Sequence, residues 1–315
     1  MNFPAPTPSP NPAEIVSSTL GRSPTPHGEV DRGRPDTIRS FAFFSYKGEE
    51  RLEKESLSQR AWSDALYALA ELAEEEDWTG AGAGERPLPI LDSYIRYTYQ
   101  RLVMEKKLAF SEDGEFAALN TGLLSRHHED ILGLFQRNDH PGAQPWYFKR
   151  WATESDRDIL GNFEALPDMA SYVSTASDLV YDLGRVLRPA YVHILEDNLD
   201  RFPPEVAAMP GGMRRAVVDR AIDLTLKRTR RNFKTVVPQW YPKSQEAGFL
   251  LPLDLLGRGQ ADLALVVSEA SDTTYRGHTV LTLEMAYTVA RLVSRPDSDW
   301  LKPHAMSSDS EDQDL

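Results

Sequence analysis

No cysteine occurs in the 315 residues, and that single absence narrows the possible folds more than any motif does. It removes disulfide staples, thiolate nucleophiles and every cysteine-ligated zinc or iron–sulfur centre. The order in this chain must therefore come from burying apolar surface. Hydrophobic residues make up 41% and charged residues 26%, the balance of an ordinary globular protein. Roughly 260 ordered residues suffice to close a core without staples.

No run of about 18 apolar residues is present, so no helix is expected to span a bilayer. Pro4, Pro6, Pro8, Pro10 and Pro12 interrupt the region where a signal peptide would need its apolar stretch, and a cytoplasmic location is expected by default. The net charge of −13 argues against sequence-independent binding of nucleic acid over the whole surface, and leaves a local basic site open.

Residues 1–38 carry eight of the 22 prolines among Ser, Thr and Gly, and read as a disordered arm. Residues 304–315 form an acidic tail, also expected to be disordered. Between them, residues 39–303 read as one globular α+β domain: a mixed, mostly antiparallel sheet packed with several helices. Phe41–Phe44 predicts a strand. Ser56 and Gln59 predict a capping box ahead of a helix with its stripe at Trp62, Ala65, Leu66, Leu69, Leu72 and Ala73. Gly80, Gly82 and Gly84 lack the Gly-Lys-Ser/Thr of a phosphate loop and read as a linker. Leu91–Leu102 is a second helical stripe. Asp113-Gly114, set between Leu108–Phe110 and Phe116–Leu119, signals a hairpin. Strands are expected at Ile131–Gln136, Trp146–Trp151, Tyr172–Tyr181, Val236-Val237, Phe249–Leu255, Leu263–Val267 and Thr279–Leu283. Helices are expected over Val192–Phe202, Gly212–Lys234 and Met285–Val293. No internal repeat is visible.

The helix over Gly212–Lys234 concentrates positive charge in an acidic chain. Arg214, Arg215, Arg220, Lys227, Arg228, Arg230, Arg231 and Lys234 face only Asp219 and Asp223. At 100° per residue, Val217, Val218, Ala221, Ile222, Leu224 and Thr225 share an apolar arc, and Arg228 falls inside it with Asn232 one turn later. An inward arginine is expensive unless it meets a carboxylate or a bound anion, so a structural ion pair and a phosphate site are both open. Phe233, Gln239, Trp240 and Tyr241 follow, and cations interleaved with aromatics are the ingredients of a base-stacking surface.

Other candidates are sparser. His193 and Asp197 lie one turn apart, a spacing that admits a divalent metal or a carboxylate-oriented general base, with a structural contact as the alternative. Asn120 ends the hairpin in a tight polar turn that serves either the turn or a ligand. Glu284, Tyr287 and Arg291 share a helix face, where a local salt bridge is the simplest reading. No common hydrolase or nucleotide-fold signature is present.

Several of these pieces, in order, resemble a bacterial family, domain of unknown function 3825. They are Phe41–Phe43, Leu69–Ala73, Leu88–Leu102, Leu119–Leu123, His193–Asn198, Arg201–Pro203, Asn232–Lys234, Val237–Tyr241, Leu250–Leu253, Met285–Tyr287 and Ala290–Leu292. The chain departs from the family pattern at Leu119, where an aromatic is expected, and at Asp254, where a nonacidic residue is expected. Members are sometimes joined to cold-shock or OST-HTH modules, so the resemblance implies a role near RNA or nucleotides.

The expectation is a protein that binds RNA or a nucleotide: Arg228, Asn232 and Lys234 hold phosphate, Trp240 or Tyr241 stacks a base, Gln239 or Asn120 reads its edge, and Arg291 adds charge. One alternative is a phosphoester hydrolase or transferase with His193 as acid–base group, Asp197 or Glu284 as its carboxylate, and Arg228 stabilising developing charge. A second is a scaffold that recruits partners through its arm and tail.

Overall fold

The computed structural model describes residues 37–45, 54–80, 87–140, 144–242, 244–298 and 300–301; residues 1–36 of the expected arm, the acidic tail, and Gly82 and Gly84 lie outside them, whereas Thr37 and Ile38, also expected in the arm, cap and open the first helical turn. Two five-stranded sheets, rather than one, organise the described residues. After a helical turn α1 (Ile38–Phe41), strand β1 (Ala42–Phe43) leads to helices α2 (Lys54–Leu72) and α3 (Pro89–Glu105). A meander follows: β2 (Ala109–Phe110), β3 (Phe116–Leu124), β4 (Asp130–Arg137) and β5 (Trp146–Thr153), with α4 (Arg157–Asn162) after it. The first sheet runs β1-β5-β4-β3-β2, antiparallel except where β1 lies parallel to β5.

The second half repeats that plan. Strand β6 (Val186–Pro189) leads to helices α5 (Pro204–Ala207) and α6 (Gly211–Thr229), then to the meander β7 (Val237–Tyr241), β8 (Glu246–Leu253), β9 (Leu263–Ser271) and β10 (Thr274–Leu281), closed by α7 (Leu283–Val293). Its order is β6-β10-β9-β8-β7, and β6 is again parallel to the last meander strand. The repeat is one of topology; the sequence carries no sign of it.

Alternation along the strands explains the layers. Leu251, Leu253, Leu263, Leu265, Val267 and Val280 turn one face of the second sheet toward Val218, Ala221 and Ile222 of α6. Leu250, Ala264, Val266 and Leu281 face the other way, into a core shared with α2, α3, α7 and the first sheet. The back of the first sheet rests Ala118, Leu132 and Leu134 on Ile159 of α4. At α3, Pro89 occupies the first turn, where a missing N–H costs nothing, and Lys106 (φ 58°) ends the helix in the left-handed region. A buried ion pair joins the halves: Arg291 of α7 meets Glu76, beyond α2, through Nε–Oε1 at 2.7 Å and Nη2–Oε2 at 3.0 Å.

Three expectations fail for local reasons. Tyr172–Tyr181 is not a strand, because the Asp178 carboxylate accepts from the backbone N–H groups of Ser174 and Thr175 and closes a 3₁₀ turn at Ala176–Leu179. Val192–Phe202 is not a regular helix: it is a π-helical turn, His193–Asp197, then a 3₁₀ turn, Leu199–Arg201. There Asn198 Nδ2 donates to the His193 carbonyl at 2.6 Å, and the Arg214 guanidinium caps the carbonyls of Leu195, Ala207 and Met209. Ser56 lies inside α2, which already includes Lys54, so it is not the cap.

Candidate functional site

The C-terminal end of α6 opens onto a cleft of about 240 Å³. The helix stops at Thr229, short of the expected Lys234, because Thr229 returns its hydroxyl to the Thr225 carbonyl and Asn232 caps a new 3₁₀ turn by accepting from Lys234 N. That break throws Arg228, Asn232 and Lys234 together on the cleft wall. The three residues expected to hold phosphate are therefore neighbours.

Arg228 does not point inward as its helical angle suggests. The buried line of α6 continues through Thr225 to Thr229, while the Arg228 side chain is 43% exposed. Its guanidinium stands 3.9 Å from the buried carboxylate of Asp254, a contact too long for a hydrogen bond. Asp254 is committed elsewhere, accepting from the backbone N–H groups of Arg258 and Gly259 at 3.0 and 3.1 Å. Asp254 thus forms part of the cleft lining beside Arg228. Across from it, Lys234 Nζ meets Asp297 Oδ2 at 2.6 Å, and this exposed partner holds the Asp297 carboxyl below the usual range. Ser298 Oγ donates to the Lys234 carbonyl and Trp300 Nε1 to the Thr235 carbonyl, so the segment after α7 straps the cleft shut on one side. The formal charges of the four ionised groups cancel, and an incoming anion finds Lys234 already engaged.

The remaining expected ligand residues lie elsewhere. Trp240 is buried, with Arg101 stacked 4.3 Å over its ring and Tyr172 edge-on at 5.7 Å, so it is no open platform. Gln239 is 1% exposed and its Oε1 has no hydrogen-bond partner among the described residues. Tyr241 is half-buried, and burial pushes its hydroxyl up despite the nearby Arg201. The cleft takes its aromatic wall from Trp300 instead. Asn120 is spent on the turn: its Nδ2 donates to Asp130 and the Pro167 carbonyl, and its Oδ1 accepts from Gly122 N. Arg291 is locked to Glu76, not to Glu284, and lies over the rings of Tyr94 and Trp78.

His193 and Asp197 do pair, Nδ1 to Oδ2 at 2.6 Å, on the exposed π turn. Asp197 is thus the partner of His193, while Glu284 packs beside Gly80 at the start of α7. Reasoning from the sequence missed His278, whose Nε2 lies 2.7 Å from the buried Ser268 Oγ. It also missed Asp297 and Trp300, which no local pattern ties to α6. No group of three or more metal-ligating side chains is found among the described residues.

Fold and cleft together define an α+β protein of two meander sheets with a basic helix end at a small open site. No helix among the described residues is long and apolar enough to cross a membrane. The family described as domain of unknown function 3825 matches residues 69–300, and the chain belongs to it. No curated protein and no solved structure matches the chain.

Proposed function

We propose that this protein binds RNA, or a nucleotide within it, through a phosphate held between Arg228 and Lys234. The observation that carries this reading is the convergence of Arg228, Asn232 and Lys234 on one cleft beside Trp300. A guanidinium and an ammonium lining one cleft suit a phosphate, the amide supplies a hydrogen bond, and the indole packs on a sugar or base. At about 240 Å³ the cleft is smaller than pockets that enclose a whole cofactor, so most of the ligand lies outside it. That geometry favours a polymer gripped at one phosphate. The pairing of Lys234 with Asp297 is no obstacle, since so exposed an ion pair adds little and the phosphodiester anion can displace it.

The test is fluorescence anisotropy of a labelled single-stranded RNA with the full chain over a range of salt. Affinity should fall as salt rises, as phosphate contacts require. The pair Arg228→Ala and Lys234→Ala should weaken binding at least tenfold without lowering the melting temperature. Binding that ignores both substitutions sinks the proposal.

A further inference from the structure

Two histidines stand on backbone irregularities where the connection after β6 packs against β10. His193 lies on the π turn, a rare conformation that recurs at functional sites. His278 is the extra residue of a β-bulge: Gly277 pairs with Val267 and Thr279 with Val266, which leaves His278 unopposed and re-aims its ring. Each imidazole has one nitrogen tied and the other available. His193 Nδ1 is held by Asp197 at 2.6 Å, and His278 Nε2 by Ser268 Oγ at 2.7 Å. Arg201 closes the group, its Nη1 donating to the Val280 carbonyl at 2.5 Å and reaching Thr279 Oγ1 at 3.4 Å, on the two residues after His278. Burial first, then the positive charge of Arg276, holds His278 below the ordinary imidazole range, against an opposing pull from Glu246 and with a further push from His193. It is neutral at pH 7. One neutral ring, one ring partnered by a carboxylate, and a guanidinium bonded to the residues just after the first are the parts of an acid–base centre for phosphoryl transfer.

We propose that His193 and His278 cleave single-stranded RNA by transfer to its own 2′-hydroxyl. Ser268 Oγ accepts from Nε2–H of His278, which leaves the lone pair on Nδ1. The 2′-hydroxyl gives its proton to that Nδ1 as its oxygen bonds to phosphorus. The P–O5′ bond breaks, and the departing 5′ oxygen takes a proton from Nε2 of the protonated His193, whose ring Asp197 holds at Nδ1. The products are a 2′,3′-cyclic phosphate and a free 5′-hydroxyl, and the step consumes no water or co-reactant. Arg201 faces the charge that develops on the phosphoryl oxygens. The proposal rests on the RNA-binding reading and narrows it. Ser268 and Gly248 lie one residue past the paired Val267 and Phe249, and Pro252 and Asp254 of the cleft lie four and six residues beyond Gly248 along the chain. At the usual strand rise the two sites are roughly 13–20 Å apart, a span that several nucleotides bridge and one mononucleotide does not.

The experiment incubates the full chain with an end-labelled RNA, and with the same RNA carrying one 2′-deoxy nucleotide, in excess chelator. Binding is followed in parallel by anisotropy. We expect cyclic-phosphate ends, and protection at the deoxy position. His193→Gln and His278→Gln should each slow cleavage at least a hundredfold with RNA affinity unchanged; His193 is exposed, so its variant folds. Ser268→Ala should slow cleavage and Ser268→Thr restore it. Salt-sensitive binding without cleavage overturns this centre and leaves the cleft reading standing. Cleavage that survives Arg228→Ala with Lys234→Ala supports the centre and overturns the cleft. Neither binding nor cleavage overturns both, and cleavage unaffected by either histidine variant overturns the centre.

Discussion

Arg291→Ala should be the most destabilising single change in the shared core. Its guanidinium is 12% exposed and makes a two-pronged contact with Glu76, which is 4% exposed, while Tyr287 donates to the same carboxylate at 3.2 Å. Burial opposes the charge on Arg291, and the hydrogen bond to Glu76, together with the charge of that carboxylate and of the Tyr94 and Tyr287 hydroxyls, more than restores it. Removing the arginine strands a carboxylate in the core and empties the space over Tyr94 and Trp78, and breaking such a pair costs about 3–5 kcal/mol. For a domain of this size each kcal/mol is worth about 2–4 °C, so the melting temperature should fall by about 10 °C. Urea denaturation measures the free energy directly, with the slope checking that one cooperative unit still unfolds. The double change Glu76→Leu with Arg291→Met removes both charges and should recover most of the loss, because apolar replacement of a buried pair is close to neutral. The pair also spans the two topological halves, so Arg291→Ala is the variant most apt to split the transition in two. A loss below about 1 kcal/mol, or a double variant weaker than the single, refutes the reasoning.

Gly122→Ala should cost about 1–3 kcal/mol in urea denaturation, since φ is +72° and a Cβ would stand 2.9 Å from the Tyr94 hydroxyl. Asn120→Ala should cost about 1–3 kcal/mol by leaving buried backbone groups unpaired, while RNA affinity stays unchanged. Gln239→Leu should be neutral or stabilising in thermal melts, because Oε1 is already buried without a partner. Asp297→Asn should raise RNA affinity severalfold at low salt by freeing Lys234, an effect that fades as salt increases.

Periodic segments were legible because burial imposes the period. The stripes of α2, α3 and α7 and the Asp113-Gly114 hairpin stand where the sequence puts them. Failures cluster where side chains replace the regular ladder. Asp178 ties up Ser174 and Thr175, Asn198 widens the turn at His193, and Asn232 ends α6 early. Each is a polar residue competing for backbone groups, which hydrophobic periodicity does not register. Arg228 shows the same limit. Its helical angle places it near the apolar arc, yet the buried line ends on Thr225 and Thr229 instead, and the Arg228 side chain turns to the cleft. Asp297 and Trp300 reach that cleft from more than 60 residues away, so only tertiary structure joins them to Lys234 and Thr235.

The two halves separate what belongs to the scaffold from what is particular to one site. In both, the last meander strand pairs in parallel with the opening strand for a few residues and then loses that partner. Just past that point each carries a bulge: Lys149 is unopposed between Phe148 and Arg150, as His278 is between Gly277 and Thr279. The bulge is thus a consequence of the topology, relieving twist where the parallel neighbour ends. It is not in itself a mark of function. What differs is the cover over the freed edge. In the first half α2 covers the strand, and Trp151 Nε1 donates to the Ala65 carbonyl at 2.7 Å. In the second half the π turn and Arg201 take that place and bring a second imidazole toward the bulged one. Beside the first bulge the wall carries Asp64, Glu71, Lys149 and Arg150 but no imidazole; beside the second stand two histidines, the side chains suited to exchange protons near neutral pH.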